Sequence, residues 1–231
     1  MRFKRLFLIP LIVVIQSLIL HAQDEPVLHM SISTFSWSDP MTDLYWMSEG
    51  QALELKALPL VRSGPFRYVG SKDLLIYRGK PQLSEDGVAP KPVGRVELPS
   101  QGGRALLILM SPEGPGGRII GHIVPEQEGD FPAGSCRFIN LTQSAVNIAA
   151  ALDDELFILT PGQTNTVMEF ANEDSGGFKL RFAYQKAGGE WDKFYTGRWT
   201  QNPNLRTLFI ITENPLGHFI LRRISDRPRN L

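Results

Sequence analysis

Hydrophobic positions along this chain recur mostly at every second residue. Leu28–Phe35 alternates for much of its length, and Ala52–Leu58, Thr166–Phe170 and Phe178–Phe182 alternate clearly. A period of two turns one face of a strand inward and leaves the other in water. Two runs are apolar throughout, Ala105–Met110 and Leu208–Ile211, and these predict central strands buried on both faces. All the runs are short and are separated by Gly, Pro, Asn, Asp or Ser. No segment has the period of a long amphipathic helix. Val146–Asp154 contains helix formers, but Asn147 and the Asp153-Asp154 pair favour a strand ending in a turn. The pattern predicts an all-β protein.

The two apolar runs sit in similar surroundings. Gly94–Ile123 reads GRVELPSQGGRALLILMSPEGPGGRIIGHI and Gly197–Ile224 reads GRWTQNPNLRTLFIITENPLGHFILRRI. Gly94-Arg95 matches Gly197-Arg198, Arg104 matches Arg206, Leu106 matches Leu208, Ile108 matches Ile210 and Pro112 matches Pro215. Upstream the match weakens to Leu44–Trp46 against Val146–Ile148. An internal repeat of this length predicts two tandem immunoglobulin-like β-sandwich units of roughly seven short strands each. The expected boundaries are residues 24–125 and 130–226, with a basic tail over 227–231. Between the units, Pro125–Gly134 is rich in proline, glycine and acid, which suits a short non-strand connector. Gly79–Pro92 is the longest expected loop of the first unit and a candidate contact surface.

Ahead of the first unit stands a different kind of segment. Arg2, Lys4 and Arg5 precede an almost wholly apolar run from Leu6 to Leu20, and His21-Ala22-Gln23 leads into acidic Asp24-Glu25. This is the pattern of a secretory signal peptide over residues 1–22, cleaved after Ala22 or, as second choice, after Gln23. The alternative is a retained anchor. Against it, the run falls short of the roughly 20 residues that span a bilayer, and Pro10 interrupts it. The expected location is exported, periplasmic or extracellular, with no transmembrane segment after cleavage. Removing the signal leaves 21 basic against 24 acidic residues, which argues against nucleic acid as a partner. Cys136 is the single cysteine, so an exported chain must hold together without an internal disulfide. Its strand-like surroundings suggest a small buried apolar residue rather than a reactive thiol.

Phe131-Pro-Ala-Gly-Ser-Cys-Arg-Phe-Ile-Asn-Leu-Thr142 resembles a phrase of the form FPxGSxRFxNLT in uncharacterised secreted bacterial proteins. In those a signal also precedes about 200 residues of β-rich sequence. The resemblance covers this segment and implies no known activity. Physically, Pro132–Gly134 makes a turn from which Cys136–Ile139 enters a strand.

Signatures of chemistry are sparse. His29, His122 and His218 stand far apart and in no metal-ligand spacing, and no nucleophile elbow, phosphate loop or dinucleotide fingerprint occurs. Gly114–Gly117 lies between two strands and reads as a hairpin. Asp153-Asp154-Glu155 lacks the alternation and glycine of a calcium loop and reads as a solvated turn. No catalytic residue, metal ligand or cofactor is therefore assigned. Aromatic placement is more suggestive. Trp191, Tyr195 and Trp199 share parity, so on one uninterrupted strand they would line one face, as a sugar-stacking platform does. Trp37, Tyr45 and Trp46 form a looser group. Three functions remain in view: first a non-catalytic envelope protein that contacts other proteins, then a carbohydrate-binding module using Trp191, Tyr195 and Trp199, and last an enzyme with a site assembled across the two units.

Overall fold

A computed structural model of the chain describes residues 27–228, apart from Leu60, 83–89, Pro115, Glu128, Gln143, Ala145, 168–176 and Pro215. The expected signal segment, the end of the basic tail and the middle of the Gly79–Pro92 loop lie outside the described residues. Every regular element described is a strand. The first half holds β1 (Leu28–Ser36), β2 (Met41–Ser48), β3 (Gln51–Ala57), β4 (Ser63–Gly70), β5 (Asp73–Arg78), β6 (Gly94–Glu97), β7 (Gly103–Met110) and β8 (Ile120–Pro125). The second half holds β9 (Cys136–Asn140), β10 (Ile148–Leu152), β11 (Glu155–Leu159), β12 (Thr164–Val167), β13 (Phe178–Gln185), β14 (Trp191–Trp199), β15 (Arg206–Glu213) and β16 (Phe219–Asp226). Among the described residues each half thus has eight strands, where the sequence suggested about seven.

The strands form four sheets, ordered β4-β1-β7-β8, β3-β2-β5-β6, β12-β9-β15-β16 and β11-β10-β13-β14. The second half follows the first strand for strand. It includes the same parallel central pair, β1 with β7 and β9 with β15. Register then gives residue correspondences. Leu106 lies opposite Val124 and Leu208 opposite Ile224. Aligned on Leu106 and Leu208, Arg104 corresponds to Arg206, Glu126 to Asp226, and His122 to Arg222. Ile32 lies opposite Ala105 and Cys136 opposite Thr207, so Ile32 corresponds to Cys136 and Phe35 to Ile139.

Each half is a sandwich with its own core. In the first, Ile32, Trp46, Leu55, Leu74, Ile76 and Leu107 are packed between the two sheets. Trp46 meets the rings of Phe66 and Tyr68 edge-on at 5.9 Å. In the second, Phe138 stacks on Phe209 at 4.9 Å, with Phe182, Leu180 and Ile148 around them. Fully burying a side chain of this size contributes roughly 1.5–3 kcal/mol.

A third cluster joins the halves. Phe35, Leu106, Ile108 and Val124 from one half share it with Ile139, Leu141, Leu208, Ile210 and Ile224 from the other. Sheet β4-β1-β7-β8 therefore packs on sheet β12-β9-β15-β16, and the molecule is four sheets deep. This accounts for the continuous apolar runs. Alternate residues of β7 enter the first core (Ala105, Leu107, Leu109) and the junction (Leu106, Ile108), and β15 divides Phe209 and Ile211 from Leu208 and Ile210 in the same way. The connector contributes as well. Phe131 is buried at the junction, with the guanidinium carbons of Arg137 and Arg206 4.6 and 5.1 Å from its ring centre.

Charge is buried at the same junction. Arg62 donates two hydrogen bonds to Glu126, at 2.7 and 2.9 Å, and its Nε lies 2.9 Å from Asp226. Arg206 grips Asp226 through two bonds of 3.1 Å and stands 3.7 Å from Glu126. The side chains of Arg62, Glu126 and Arg206 are at most 10% exposed. Burial works against the charge on Arg62, but hydrogen bonding and attraction from Glu126 and Asp226 outweigh it and hold its pKa above the ordinary value.

Candidate functional site

The three aromatics proposed as a platform do not share a face. β13 and β14 pair from Phe178↔Trp199 to Phe182↔Tyr195, and the register then slips so that Ala183 faces Lys193. The extra residue, Phe194, makes a bulge, and a bulge exchanges the faces of everything beyond it. Tyr195 and Trp199 pack against the second core, whereas Trp191 lies on the outer face and is 42% exposed. Trp199 is also covered: the guanidinium carbon of Arg223 sits 4.2 Å from its ring centre. Of the looser group, Trp46 is fully buried and Trp37 packs at the junction beneath Arg222.

What the outer face of β11-β10-β13-β14 does present follows from the pairing. Ile148, Ala150, Leu152, Leu180 and Phe182 point into the core. Their neighbours Ala149, Ala151, Lys179, Arg181 and Ala183 therefore point outward, joined by Leu156, Ile158, Lys193 and Arg198 from the flanking strands. Leu156 is 66% and Ile158 52% exposed, an uncommon position for large aliphatics on an edge strand. The alanines make a low floor between these two and a band of cations. Lys179, Arg181, Lys193 and Arg198 form no ion pair among the described residues, and Lys179 stands directly opposite Arg198. Like charges across a strand pair destabilise it by a few tenths of a kcal/mol or more.

The corresponding face of the first sandwich is arranged otherwise. There Arg95 reaches Asp73 at 2.5 Å, and Lys72 reaches Glu97 at 3.5 Å. The two outer faces therefore differ in kind: one is internally neutralised, the other is cationic and partly apolar. Sequence reasoning passed over these cations, although the alternation in Phe178–Phe182 already set Lys179 and Arg181 on the polar side.

Other groups have structural surroundings. Cys136 is buried, its thiol donates to Gln201 Oε1 at 3.5 Å, and burial pushes its pKa up to about 12. A thiol so disposed is not a nucleophile at neutral pH. Asp153 occupies the β10–β11 turn at φ 45°, and its carboxylate accepts from the Lys179 amide at 2.8 Å. Asn140 is a buried hub, donating to the Val146 and Leu159 carbonyls and accepting from the Thr142 amide. Among the described residues no three His, Cys, Asp or Glu side chains are grouped to hold a metal ion. The fold defines a stacked pair of β-sandwiches. No protein-family model and no curated protein sequence matches the chain.

Proposed function

We propose that this is a non-catalytic, exported protein of the cell envelope, periplasmic or extracellular, that holds a protein partner on the outer face of its second sandwich. The single observation behind this reading is the set of four cations without an ion-pair partner among the described residues, Arg181 donating only to the Asp153 carbonyl, beside exposed Leu156 and Ile158. A complementary partner presents carboxylates around a small apolar ridge that enters the alanine floor. Charge gives such a contact its speed and selectivity, and the aliphatic pair gives it desolvated area. Sheet stacking supports the same role, because a molecule held rigid by a shared junction presents its outer faces at a fixed spacing. The matched strand order and the Arg104–Arg206 correspondence further support descent of the two units from one by tandem duplication, on an immunoglobulin-like plan.

The test is a photo-crosslinking residue at Ile158, in the full chain produced in its own cells. A discrete adduct with an acidic protein is expected, and it should vanish when Lys193 and Arg198 are both changed to Glu. An adduct indifferent to charge reversal, or none at all, would refute the proposal. Export is checked separately by the mature N-terminus, expected at Gln23 or Asp24. A second reading, carbohydrate binding, keeps support from exposed Trp191 beside the cations. It predicts retention on an acidic polysaccharide that is lost in Trp191→Ala.

A further inference from the structure

The two sandwiches differ along one open side. In the first half β6 and β8 close it: the Ile119 amide donates to the Val93 carbonyl at 2.9 Å, and Gly121 packs so tightly on Val96 that an added Cβ would lie 2.3 Å from it. In the second half no backbone hydrogen bond joins β14 to β16 among the described residues. A cleft of about 360 Å³ opens there instead. Register identifies what changed. Leu74, Val96, Leu98, Ala105, Leu107 and Ile123 all belong to or pack on the first core. Their counterparts are Phe178, Trp199, Gln201, Thr207, Phe209 and Arg223, and all six line the cleft. Where one unit fills its end with aliphatic side chains, the other has an arginine, an amide and a hydroxyl above an aromatic floor.

Those polar groups are partly organised and partly unspent. Gln201 is fixed by its own bonds, donating to the Leu205 carbonyl at 2.9 Å and accepting from Thr207 Oγ1 at 3.2 Å. Arg223 is held over Trp199 by a cation–π contact, with no carboxylate partner among the described residues. The Trp199 indole N–H is buried and has no acceptor there. Because one face of Trp199 is taken by Arg223, a ligand enters by charge and hydrogen bonding and not by stacking on that ring.

We propose that this cleft binds a small carboxylate-bearing ligand, with Arg223 gripping the carboxylate and the hydroxyls of Thr207 and Ser225, which line the cleft 2.9 Å apart, meeting its polar body. The site is independent of the outer-face docking proposed above. Two sources share this chemistry: an acidic monosaccharide, or the acidic side chain or C-terminus of a short peptide. The volume admits either.

The experiment is calorimetric titration of the full mature chain with galacturonate, galactose, N-acetyl-Ala-Glu and the amide N-acetyl-Ala-Gln-NH2, each up to about 10 mM. At least one acid should bind about tenfold tighter than its neutral counterpart, and that preference should weaken with salt. Galacturonate alone would make the source a sugar, and the acidic dipeptide alone would make it a peptide. Arg223→Ile, which installs the first unit's residue, should remove the preference while the circular dichroism and unfolding midpoint stay native. Arg223→Lys should keep part of it, because the charge stays and the planar fork goes. Acids and neutral analogues binding alike, Arg223→Ile binding unchanged, or no acid binding would each overturn the assignment.

Discussion

Glu126→Gln should destabilise the protein far more than its size suggests. The carboxylate stands 2.7 Å from Arg62 and 3.7 Å from Arg206, at side chains at most 10% exposed. At an effective dielectric of about 20, one such pair at 4 Å is worth about 4 kcal/mol of attraction. Removing one member of a buried pair typically destabilises by about 3–5 kcal/mol, because the remaining charges stay buried without it. For a chain of this size that is a fall in Tm of roughly 6–20 °C. The molecule contains its own control. Arg67 and Glu49 also pair at 2.9 Å, but they are 72% and 53% exposed, so Glu49→Gln should change stability by less than about 1 kcal/mol. Urea unfolding followed by circular dichroism measures both. Replacing Arg62 by Met and Glu126 by Leu together should recover much of the loss, since an apolar pair needs no counter-charge. If Glu126→Gln loses no more than Glu49→Gln, the junction is wetter than its burial implies and the reasoning fails.

Three further outcomes follow from particular groups. His122 lies opposite Ile108 on the junction side of β8, and burial lowers its pKa from 6.5. Its folded value lies below the unfolded one, so stability is full above pH 6.5 and declines as pH falls through the window beneath it. Unfolding midpoints between pH 7.5 and 5 should show that slope, flattened in His122→Leu. The thiol of Cys136, with its pKa pushed up to about 12, should resist a disulfide reagent in native buffer and react promptly in denaturant; equal rates would contradict its burial. Gly121→Ala brings a Cβ within 2.3 Å of Val96 and 3.1 Å of Leu107, an overpacking expected to destabilise by about 1–3 kcal/mol. A neutral Gly121→Ala would mean that β6 and β8 are not held as closely as drawn.

How much of this was legible in the sequence depended on the range of the interaction. The continuous runs at Ala105–Met110 and Leu208–Ile211 declared strands buried on both sides, and the matched arginines, Arg104 and Arg206, occupy corresponding places in the strand register. Both signals are local or repeat a local one. The aromatic platform failed because parity holds only along an uninterrupted strand, and the bulge at Phe194 depends on how β14 meets β13. Arg62 and Glu126 are 64 residues apart in the chain, and nothing in the neighbourhood of either announces the other. Arg222 and Arg223 are neighbours in the sequence, with nothing local to separate their roles. Adjacent residues on a strand point to opposite faces, so one reaches the junction at Trp37 and the other the cleft at Trp199.

The differences between the halves are not spread evenly over the molecule. At the junction, corresponding residues stay apolar on both sides: Phe35 and Ile139, Leu106 and Leu208, Ile108 and Ile210, Val124 and Ile224 all lie in one cluster. A surface that meets its own counterpart is constrained twice, as in a two-fold interface, because each change must suit both roles. The outer faces and open sides carry no such constraint, and there the halves part. The first unit is closed by β6 and β8 and carries the ion pairs of Asp73 and Glu97; the second is open at Arg223 and, among the described residues, has no ion pair at Lys179, Arg181, Lys193 and Arg198. Unpaired charge and an unfilled core end both lower stability. A unit that retains them while fused to a well-filled sister is stabilised through the shared junction. On this argument, disrupting the junction should weaken the second sandwich before the first.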